Sequence, residues 1–434
     1  MNQSSQENKN VYELTQERLE IIFKEFDNII VSFSGGKDSG VLLNLCIDYM
    51  RKHNIKQKIG VLHLDYEIQY KMTTDYVNRT FERNKDLLEI YHICLPFRVT
   101  TCTSMYQPYW RPWDPKLKDA WVRPMPADAL TIKDFPELKS DMWDYDFQIY
   151  FSQWLHRKKR ANRTCCLIGI RTQESYFRWR CIYRSPSSSS YNHLSWTYRL
   201  GSDIYNVYPI YDWKTTDIWI ANGKFKWDYN TLYDLYYKAG VPLEKQRVAS
   251  PFISEAIESL SLYKAIDPDT WGKMIGRVNG INFSAIYGAT RATARKKITL
   301  PEGYTWKKFM YFLLSTLPES ARDNYLRHLS VSQKFWKTKG GCLSDKVIQK
   351  LIDLGIPIEI AQKSNYKTTK HPVKMDYQDD IDIPEFKELP TYKRMCICIL
   401  RNDHACKYMG FSPTKEQISQ KSRIIKEYKN IWKQ

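Results

Sequence analysis

A short glycine-rich segment near the N-terminus carries the residue types that bind phosphate groups. It reads Ser34-Gly35-Gly36-Lys37-Asp38-Ser39 and stands between a short apolar run and a helical pattern. Glycines let the main chain turn tightly and approach a ligand closely. Successive N–H groups at the start of a helix favour a bound phosphate, and the two serine hydroxyls can add donors. We therefore expect this segment to bind the phosphates of a nucleotide.

Lys37 and Asp38 are the residues of this segment that we expect to take part in catalysis. The lysine can offset negative charge that develops on phosphate oxygens. Asp38 can hold a Mg²⁺ ion or cap the helix, and both functions stay open. The GxxxxGKS/T loop of P-loop NTPases is excluded, because the spacing between the glycines and the lysine differs. An ordinary glycine-rich turn is the alternative interpretation.

Polar residues at the ends of two other apolar runs are further candidates for the same site. They are Asp65 and Glu67 after the run 59–64, and Gly169, Arg171, Glu174 and Arg178 in and after the run 166–170. Open α/β sheets bind ligands at the carboxyl ends of their strands. The planar guanidinium of Arg171 can donate two hydrogen bonds to one phosphate, and we expect it to be catalytic. Helix capping by Asp65 and weak surface salt bridges of the arginines are the alternatives.

Five short apolar runs and the helical patterns between them indicate the fold. The runs are 29–31, 59–64, 88–93, 166–170 and 204–210. Apolar runs without polar alternation are typical of strands that are buried on both faces of a parallel sheet. Their alternation with helices predicts an α/β fold with a doubly wound, five-stranded parallel sheet and right-handed crossovers.

The length of 434 residues exceeds the size at which one hydrophobic core stops growing, so we expect two domains. We predict a disordered tail at 1–10, a nucleotide-binding α/β domain at 11–225 and a mainly helical C-terminal domain at 226–434. An insertion rich in aromatic residues, 97–145, interrupts the first domain, and we expect it to line one side of the nucleotide site. The serine-rich stretch 185–190 is interpreted as a loop.

The charge balance of the chain favours anionic ligands. It contains 66 Lys and Arg residues against 48 acidic residues, for a net charge of +18, which suits nucleotides or nucleic acid. No apolar stretch approaches the roughly 20 residues that span a bilayer, and the N-terminus lacks the apolar centre of a signal peptide. We expect a cytoplasmic protein with no membrane contact, whose ten cysteines are reduced thiols.

Three of these motifs resemble those of known nucleotide-binding proteins. Residues 34–39 resemble the SGGxDS signature of the PP-loop (adenine nucleotide alpha hydrolase-like) superfamily, whose members split a nucleoside triphosphate between its α- and β-phosphates or bind phosphoadenosine phosphosulfate. Residues 169–175 resemble the GxRxxES segment of phosphoadenosine phosphosulfate reductases, and residues 209–219 resemble their PI-x-DW…D-x-W element. The resemblance implies the HUP fold, ATP or a related adenine nucleotide as ligand, adenosine near Asp65, and Arg171 on the anionic groups.

Over nearly its full length the chain is also similar to the branch named for the immunoglobulin-binding regulator A protein. The similarity includes residues 393–396 and 402–411. Members of that branch are usually encoded beside a ParB-like protein. The resemblance therefore implies a ParB-like partner for this chain.

The cysteines depart from the pattern of sulfonucleotide reductases. Those enzymes attack sulfur with a cysteine in a segment reading approximately ECGxH, and some hold an iron–sulfur cluster with paired cysteines. Here Cys342 lacks the flanking Glu and His, and no CxxC pair exists, so we expect no iron–sulfur cluster and no reductase nucleophile. Cys396, Cys398, His404 and Cys406 can in principle bind zinc, although buried structural thiols are the favoured interpretation.

The leading hypothesis is an enzyme that binds ATP with Mg²⁺ and adenylates an acceptor, with release of pyrophosphate. Loop N–H groups, Lys37, Arg171 and the metal would offset charge on the phosphates. The acceptor would be a nucleic-acid base or a sulfur compound. Two alternatives stay open: a sulfonucleotide reductase-like enzyme that uses an external thiol, and a nucleotide-sensing, DNA-associated regulator that acts with the ParB-like partner.

Overall fold

A computed structural model of the chain describes residues 9–138, 141–183, 189–248, 250–361 and 370–411. Most of the predicted tail, most of the serine-rich stretch 185–190 and the predicted terminal helix after Phe411 lie outside these ranges. The backbone forms two compact units. The first comprises the described residues up to Val99, Trp110–Pro251 and Leu262–Arg277, and the second comprises Thr100–Tyr109, Phe252–Ser261 and the described residues from Val278 onward.

Each unit is built from several separate segments of the chain. The boundaries between these segments do not coincide with any change of pattern that the sequence analysis used. Residues 226–251 belong to the first unit, and the short segment Thr100–Tyr109 belongs to the second. The domain boundary after residue 225 and the limits 97–145 of the insertion stay predictions.

Strands and helices alternate in the first part of the chain, and helices dominate later. The elements up to residue 274 are α1 (Val11–Glu25), β1 (Asn28–Ser32), α2 (Lys37–Lys52), β2 (Ile59–Leu64), α3 (Lys71–Arg83), β3 (Leu88–Ile93), β4 (Val99–Thr100), β5 (Tyr109–Trp110), α4 (Asp144–Lys158), β6 (Thr164–Leu167), α5 (Tyr176–Tyr183), β7 (Thr197–Gly201), β8 (Ile204–Val207), α6 (Thr215–Phe225), α7 (Leu232–Lys238), α8 (Tyr263–Ile266) and α9 (Pro268–Met274). Short 3-10 helices lie at Pro115–Ala120, Ile132–Asp134, Thr172–Glu174, Leu243–Lys245, Ile257–Leu262, Arg291–Thr293, Phe386–Glu388 and Lys407–Met409.

Six strands form the central sheet of the first unit, in the order β3-β2-β1-β6-β8-β7. Five of them, β1, β2, β3, β6 and β8, pair in parallel, which confirms the α/β fold and the five predicted parallel strands. The sixth strand, β7, pairs antiparallel with β8 at the edge of the sheet. The sequence does not predict β7, because Thr197–Gly201 contains no continuous apolar run.

Burial explains why these residues form these elements. Residues 29–31 of β1 are all buried, as a central parallel strand between two layers of helices requires. The second helix, α2, buries most of its surface between Val41 and Met50 and belongs to the main core cluster of the first unit. The first helix begins after Asn10, whose side chain forms a capping box with Glu13.

The second unit is mainly helical, as predicted, and it also contains a small sheet. Its elements from residue 281 onward are α10 (Ile281–Tyr287), α11 (Trp306–Ser315), α12 (Glu319–Thr338), β9 (Gly341–Leu343), α13 (Asp345–Asp353), β10 (Glu359–Ile360), β11 (His371–Lys374) and α14 (Tyr392–Leu400). The strands β10, β11 and β9 form an antiparallel sheet in that order. The helices α11 and α14 share a core that includes the fully buried Met310 and Met395. Among the described residues, no helix combines the length and the apolar character needed to cross a membrane.

Candidate functional site

The loop between β1 and α2 has a conformation that requires glycine. Gly35 has a φ of +73°, and a Cβ at this position would lie 2.9 Å from Val77 Cγ2 in α3. Gly36 precedes α2, which begins at Lys37. The loop therefore brings residues 34–39 to the positive end of a helix.

Two side chains from the region of α7 bond to the main chain of this loop. The N–H of Lys37 donates to the hydroxyl oxygen of Tyr233 at 3.0 Å, although the two residues are 196 positions apart. Asn230 Nδ2 donates to the carbonyl oxygen of Gly35 at 3.0 Å. The sequence offers no signal for either contact, because Asn230 and Tyr233 belong to none of the motifs.

Four cationic side chains gather near the N-terminus of α2. They are Lys37, Arg171, Arg178 and Arg247. Lys37 Nζ lies 3.1 Å from Asp38 Oδ2, and Arg171 Nε lies 2.6 Å from Asp38 Oδ1. Arg178 forms an ion pair with Glu174, and Arg247 donates to the main-chain carbonyl of Glu174 at 3.5 Å. Among these described side chains, four cations against two carboxylates leave a surplus of two positive charges, which favours a bound anion.

The environment of these cations makes their charge costly in the absence of an anion. Burial lowers the pKa of the Lys37 ammonium, the Asp38 carboxylate offsets part of this shift, and the charges of Arg171 and Arg247 lower the pKa further. Burial also lowers the pKa of Arg178, as does the charge of Arg247. A phosphate group among these side chains would reduce their mutual repulsion.

The turn after β6 packs directly against the glycine-rich loop. A Cβ on Gly169 would lie 3.0 Å from the carbonyl carbon of Asp38 and 3.1 Å from the nitrogen of Ser39. Only glycine allows this approach without movement of the main chain. On the loop itself, the hydroxyls of Ser34 and Ser39 lie 3.1 Å apart. The structure thus brings together these candidate residues: Ser34, Gly35, Gly36, Lys37, Asp38, Ser39, Gly169, Arg171, Glu174 and Arg178.

The two carboxylates after β2 bind partners outside the glycine-rich loop. Asp65 is fully buried; one oxygen lies 3.0 Å from His92 Nε2, and the other forms an ion pair with Arg123. Glu67 is also fully buried and accepts bonds of 2.8 and 2.9 Å from Arg277 and two more from main-chain N–H groups. Within the described part of the chain, none of these bonds involves the glycine-rich loop. Contacts of Asp65 and Glu67 with a nucleotide therefore stay predictions.

A pair of buried histidines lies beside Asp65. His63 in β2 and His92 in β3 are register partners, and their ligand atoms lie within 4.8 Å of each other and of an Asp65 oxygen. The described residues contain no other such group of His, Cys, Asp or Glu. Burial lowers the pKa of His63 to about 4, so this ring is neutral near pH 7. The sequence analysis missed both histidines. Each is the second-last residue of its apolar run, 59–64 or 88–93, and this equivalent position could have indicated that they are neighbours.

The cysteine-rich segment of the second unit packs in a core, where Cys398 and Cys406 belong to the same buried cluster. Cys396 Sγ lies 3.5 Å from a main-chain carbonyl oxygen, and Cys398 Sγ lies 3.7 Å from Asp403 Oδ2. His404 Nε2 lies 3.1 Å from another main-chain carbonyl oxygen. Burial raises the pKa of the Cys398 thiol well above its usual value. These contacts are typical of buried structural thiols.

The segment 209–219 holds the sheet against the first helix. Asp212 accepts two hydrogen bonds from the guanidinium of Arg18 in α1, at 2.8 and 2.6 Å. Trp213 Nε1 donates to the hydroxyl of Thr15, in the same helix, at 2.9 Å. This motif therefore stabilises the architecture of the first unit.

Comparison with known families agrees with the fold and the loop. Residues 28–96 match the phosphoadenosine phosphosulfate reductase domain, and residues 240–420 match a domain of unknown function, DUF3440. The first of these ranges contains β1, the glycine-rich loop, α2, β2, α3 and β3. The match to the phosphoadenosine phosphosulfate reductase domain thus lies within the first unit and includes the glycine-rich loop.

A relative of nearly equal length defines the family of the whole chain. The uncharacterized protein YbdN of Escherichia coli (strain K12) is 32% identical over 429 residues, which cover 98% of this chain and 96% of that protein. The chain belongs to the family of YbdN.

Several solved structures resemble parts of the chain weakly. FMN adenylyltransferase of Candida glabrata has a TM-score of 0.30 and 16% identity, over 51% of this chain and 57% of that protein. Phosphoadenylyl-sulfate reductase of Candida auris has a TM-score of 0.28 and 16% identity, over 54% and 92%. The U34-tRNA thiolase NcsA of Methanococcus maripaludis has a TM-score of 0.31 and 10% identity, over 63% and 78%. The chain spans little more than half of the length of the adenylyltransferase. The fold assignment therefore depends on the strand order of the central sheet and on the family match over residues 28–96.

Proposed function

We propose that the first unit binds an adenine nucleotide over residues 34–39 and cleaves ATP between its α- and β-phosphates to adenylate an acceptor. The observation that carries this proposal is the group of four cations near the N-terminus of α2, where two carboxylates leave two positive charges unbalanced. A helix N-terminus and surplus positive charge together attract phosphate groups. The family match over residues 28–96 supports the same assignment.

The proposal gives the residues near the loop distinct functions. The groups assigned to nucleotide binding are those of Ser34, Gly35, Gly36, Ser39, Gly169, Glu174 and Arg178. Lys37 and Arg171 would offset the charge that develops on the α-phosphate and on the departing pyrophosphate. Asp38 would position both cations, since each of its oxygens binds one of them.

The arrangement around Asp38 does not fit a resident magnesium ion. Mg²⁺ requires oxygen ligands in nearly octahedral geometry, whereas both Asp38 oxygens bind cationic side chains, Lys37 and Arg171, that are only 5% and 1% exposed and so cannot turn out to solvent. No step of the proposal therefore passes through a metal bound by Asp38, and the Mg²⁺ ion predicted from the sequence is not assigned to this residue.

Equilibrium binding of ATP to the full chain tests the site. Lys37→Met removes one of the four cations, and we expect the affinity for ATP to fall about tenfold or more, because a hydrogen bond to a charged group contributes about 1.5–3 kcal/mol. Lys71→Met is the matched control: this lysine is exposed and pairs with Asp75 in α3, so its loss should leave the affinity unchanged. Equal affinities of the Lys37 variant and the wild type would contradict the site.

The reaction is tested separately with ATP that is labelled on its α-phosphate. Adenylation predicts labelled AMP or a labelled acceptor, together with pyrophosphate, when sulfur compounds or nucleic acid are supplied. Binding of ATP without any of these products would keep the nucleotide site and reject the reaction. Tighter binding of phosphoadenosine phosphosulfate than of ATP, with sulfite release that depends on added thiol, would favour the reductase-like alternative.

The proposal also concerns the acceptor of the adenylyl group and the predicted binding partners of the chain. A nucleic-acid acceptor agrees with the net charge of +18, and DNA binding that weakens steeply with salt would support the regulator alternative. The ParB-like partner, the immunoglobulin-binding regulator A branch and the cytoplasmic location stay predictions from the sequence.

A further inference from the structure

Three side chains outside the glycine-rich loop form a second cluster at the ends of β2 and β3. His63 and His92 are register partners in these parallel strands. Asp65 follows two residues after His63 and so lies on the same face of the sheet. The exposed fractions of His63, Asp65 and His92 are 0%, 0% and 2%.

The hydrogen bonds of His63 leave one of its nitrogens available. His63 Nδ1 lies 2.8 Å from the carbonyl oxygen of Phe33. Because a carbonyl oxygen only accepts, Nδ1 carries the hydrogen and Nε2 carries the lone pair. His63 Nε2 is buried and has no hydrogen-bond partner among the described residues. A buried lone pair of this kind costs free energy unless a ligand binds it.

His92 is oriented in a similar way, by carboxylates on both sides of its ring. Its Nδ1 lies 3.2 Å from Asp128 Oδ1, and its Nε2 lies 3.0 Å from Asp65 Oδ2. Histidines that bind metals commonly donate Nδ1–H or Nε2–H to a carboxylate or a main-chain carbonyl, which orients the ring and leaves the other nitrogen for the metal. Asp128 occupies this outer position for His92, and Phe33 occupies it for His63.

We propose that His63, Asp65 and His92 bind a divalent transition-metal ion such as Zn²⁺. Two imidazole nitrogens and one carboxylate oxygen are a ligand set that such ions favour, whereas Mg²⁺ and Ca²⁺ prefer oxygen ligands alone. The metal replaces the hydrogen between His92 Nε2 and Asp65 Oδ2, and this proton leaves to solvent. His92 keeps its Nδ1 hydrogen bond to Asp128.

Arg123 is the group that competes with the metal for Asp65. Its guanidinium forms an ion pair with Asp65, and its side chain is 21% exposed. A divalent ion would repel the guanidinium, and this partial exposure gives Arg123 a path to solvent. Without a metal, Arg123 and His92 together would stabilise the Asp65 carboxylate, and this network is the alternative.

A metal at this position would connect three parts of the first unit. The strands β2 and β3 supply the ligands, and Asp128 belongs to the insertion 97–145. The carbonyl of Phe33 lies directly before Ser34 of the glycine-rich loop. The ion would therefore fix the insertion and the loop at one edge of the sheet. This inference goes beyond the proposed nucleotide reaction and does not depend on it.

Titration of the full chain with Co²⁺ and Zn²⁺, after chelator treatment and without nucleotide, tests the proposal. We expect one ion per chain, with visible absorption bands for Co²⁺ that Zn²⁺ abolishes. His63→Gln should weaken binding at least about 100-fold, since loss of an outer partner alone costs about 10- to 100-fold. His156→Gln is the matched control: this partly buried histidine of α4 bonds to Thr164, and its loss should leave stoichiometry and affinity unchanged.

A second variant covers the case in which His63→Gln fails to fold. Asp128 is 58% exposed, so Asp128→Ala leaves the core intact while it removes the acceptor for His92 Nδ1–H. We expect about tenfold weaker metal binding from this change. A wild-type chain that binds no ion, or metal binding that is equal in the wild type and the Asp128 variant, would overturn the proposal. The Arg123 network would then account for the three side chains.

Discussion

The hydroxyl oxygen of Tyr233 accepts a hydrogen bond from the main-chain N–H of Lys37 at 3.0 Å. This N–H lies at the start of α2, where a bound phosphate would use it. The Lys37 ammonium lies over the same ring, 5.4 Å from its centroid. A neutral oxygen of the protein thus occupies the position that a phosphate oxygen would take in the proposed complex, so a nucleotide bound there would have to compete with it.

Replacement of Tyr233 by Phe should tighten ATP binding about two- to tenfold. The variant lacks the competing oxygen, and one hydrogen bond contributes about 0.5–1.5 kcal/mol net. Calorimetric titration measures the change. Tyr236→Phe is the control, because this residue lies in the same helix and its ring packs edge-on against the ring of Tyr70. An unchanged affinity in the Tyr233 variant would mean that its hydroxyl does not compete with the ligand.

Gly169→Ala should lower the free energy of unfolding by about 1–3 kcal/mol and weaken ATP binding. The new Cβ would meet main-chain atoms of Asp38 at 3.0 and 3.1 Å, and a well-packed site tolerates such an addition poorly. Denaturant unfolding and ATP titration of the same variant measure both effects. Two other glycines provide the comparison.

The loss of stability caused by a Gly→Ala substitution should depend on the atoms that lie nearest to the new Cβ. At Gly36 the nearest atoms are the side-chain oxygens of Ser34 and Tyr233, at 3.3 and 3.4 Å, which are longer contacts than the main-chain contacts at Gly169, so Gly36→Ala should cost less. At Gly223 in α6 no atom lies within 4 Å, and Gly223→Ala should stabilise the helix by about 0.5–1 kcal/mol. Equal effects at all three positions would contradict the packing described for Gly169.

Arg171→Ala should destabilise the chain more than Arg178→Ala does. The Arg171 side chain is 1% exposed and binds the partly buried Asp38. Its removal therefore leaves the Asp38 carboxylate without one of its hydrogen-bond donors, at a cost of about 1–3 kcal/mol. The Arg178 side chain is 37% exposed, and loss of its ion pair should cost about 0–1 kcal/mol. Urea unfolding measures this difference. Equal losses of stability would show that the buried contacts of Arg171 contribute little.

The native chain should react with a thiol reagent mainly at two cysteines. Cys181 is exposed and Cys342 is partly exposed, whereas the other eight are buried. Burial raises the pKa of Cys166 to about 11 and that of Cys46 to about 12, so these thiols supply little thiolate at pH 8. Peptide mapping after brief iodoacetamide treatment measures the pattern, and denatured protein should react at all ten sites. Fast labelling of Cys46 or Cys166 in the native chain would contradict this burial.

Patterns that depend on neighbouring residues could be read from the sequence alone. The apolar runs predicted all five parallel strands, because burial on both faces excludes polar side chains from a strand. The glycines at 35 and 36 marked the loop, because a left-handed backbone and a close approach both require a missing side chain. The edge strand Thr197–Gly201 was not predicted, because only Thr197 of its five residues is buried and its pattern resembles that of a loop.

Contacts between distant residues were decided only by the tertiary structure. The 196-residue separation of Lys37 and Tyr233, and the 210-residue separation of Glu67 and Arg277, leave no trace in local composition. His63 and His92 meet because the register of β2 and β3 places them side by side, and that register depends on packing of the whole sheet. The residues of the glycine-rich loop were therefore readable from the chain, whereas the histidine pair and the partner of each side chain were set by the packing of elements far apart in sequence.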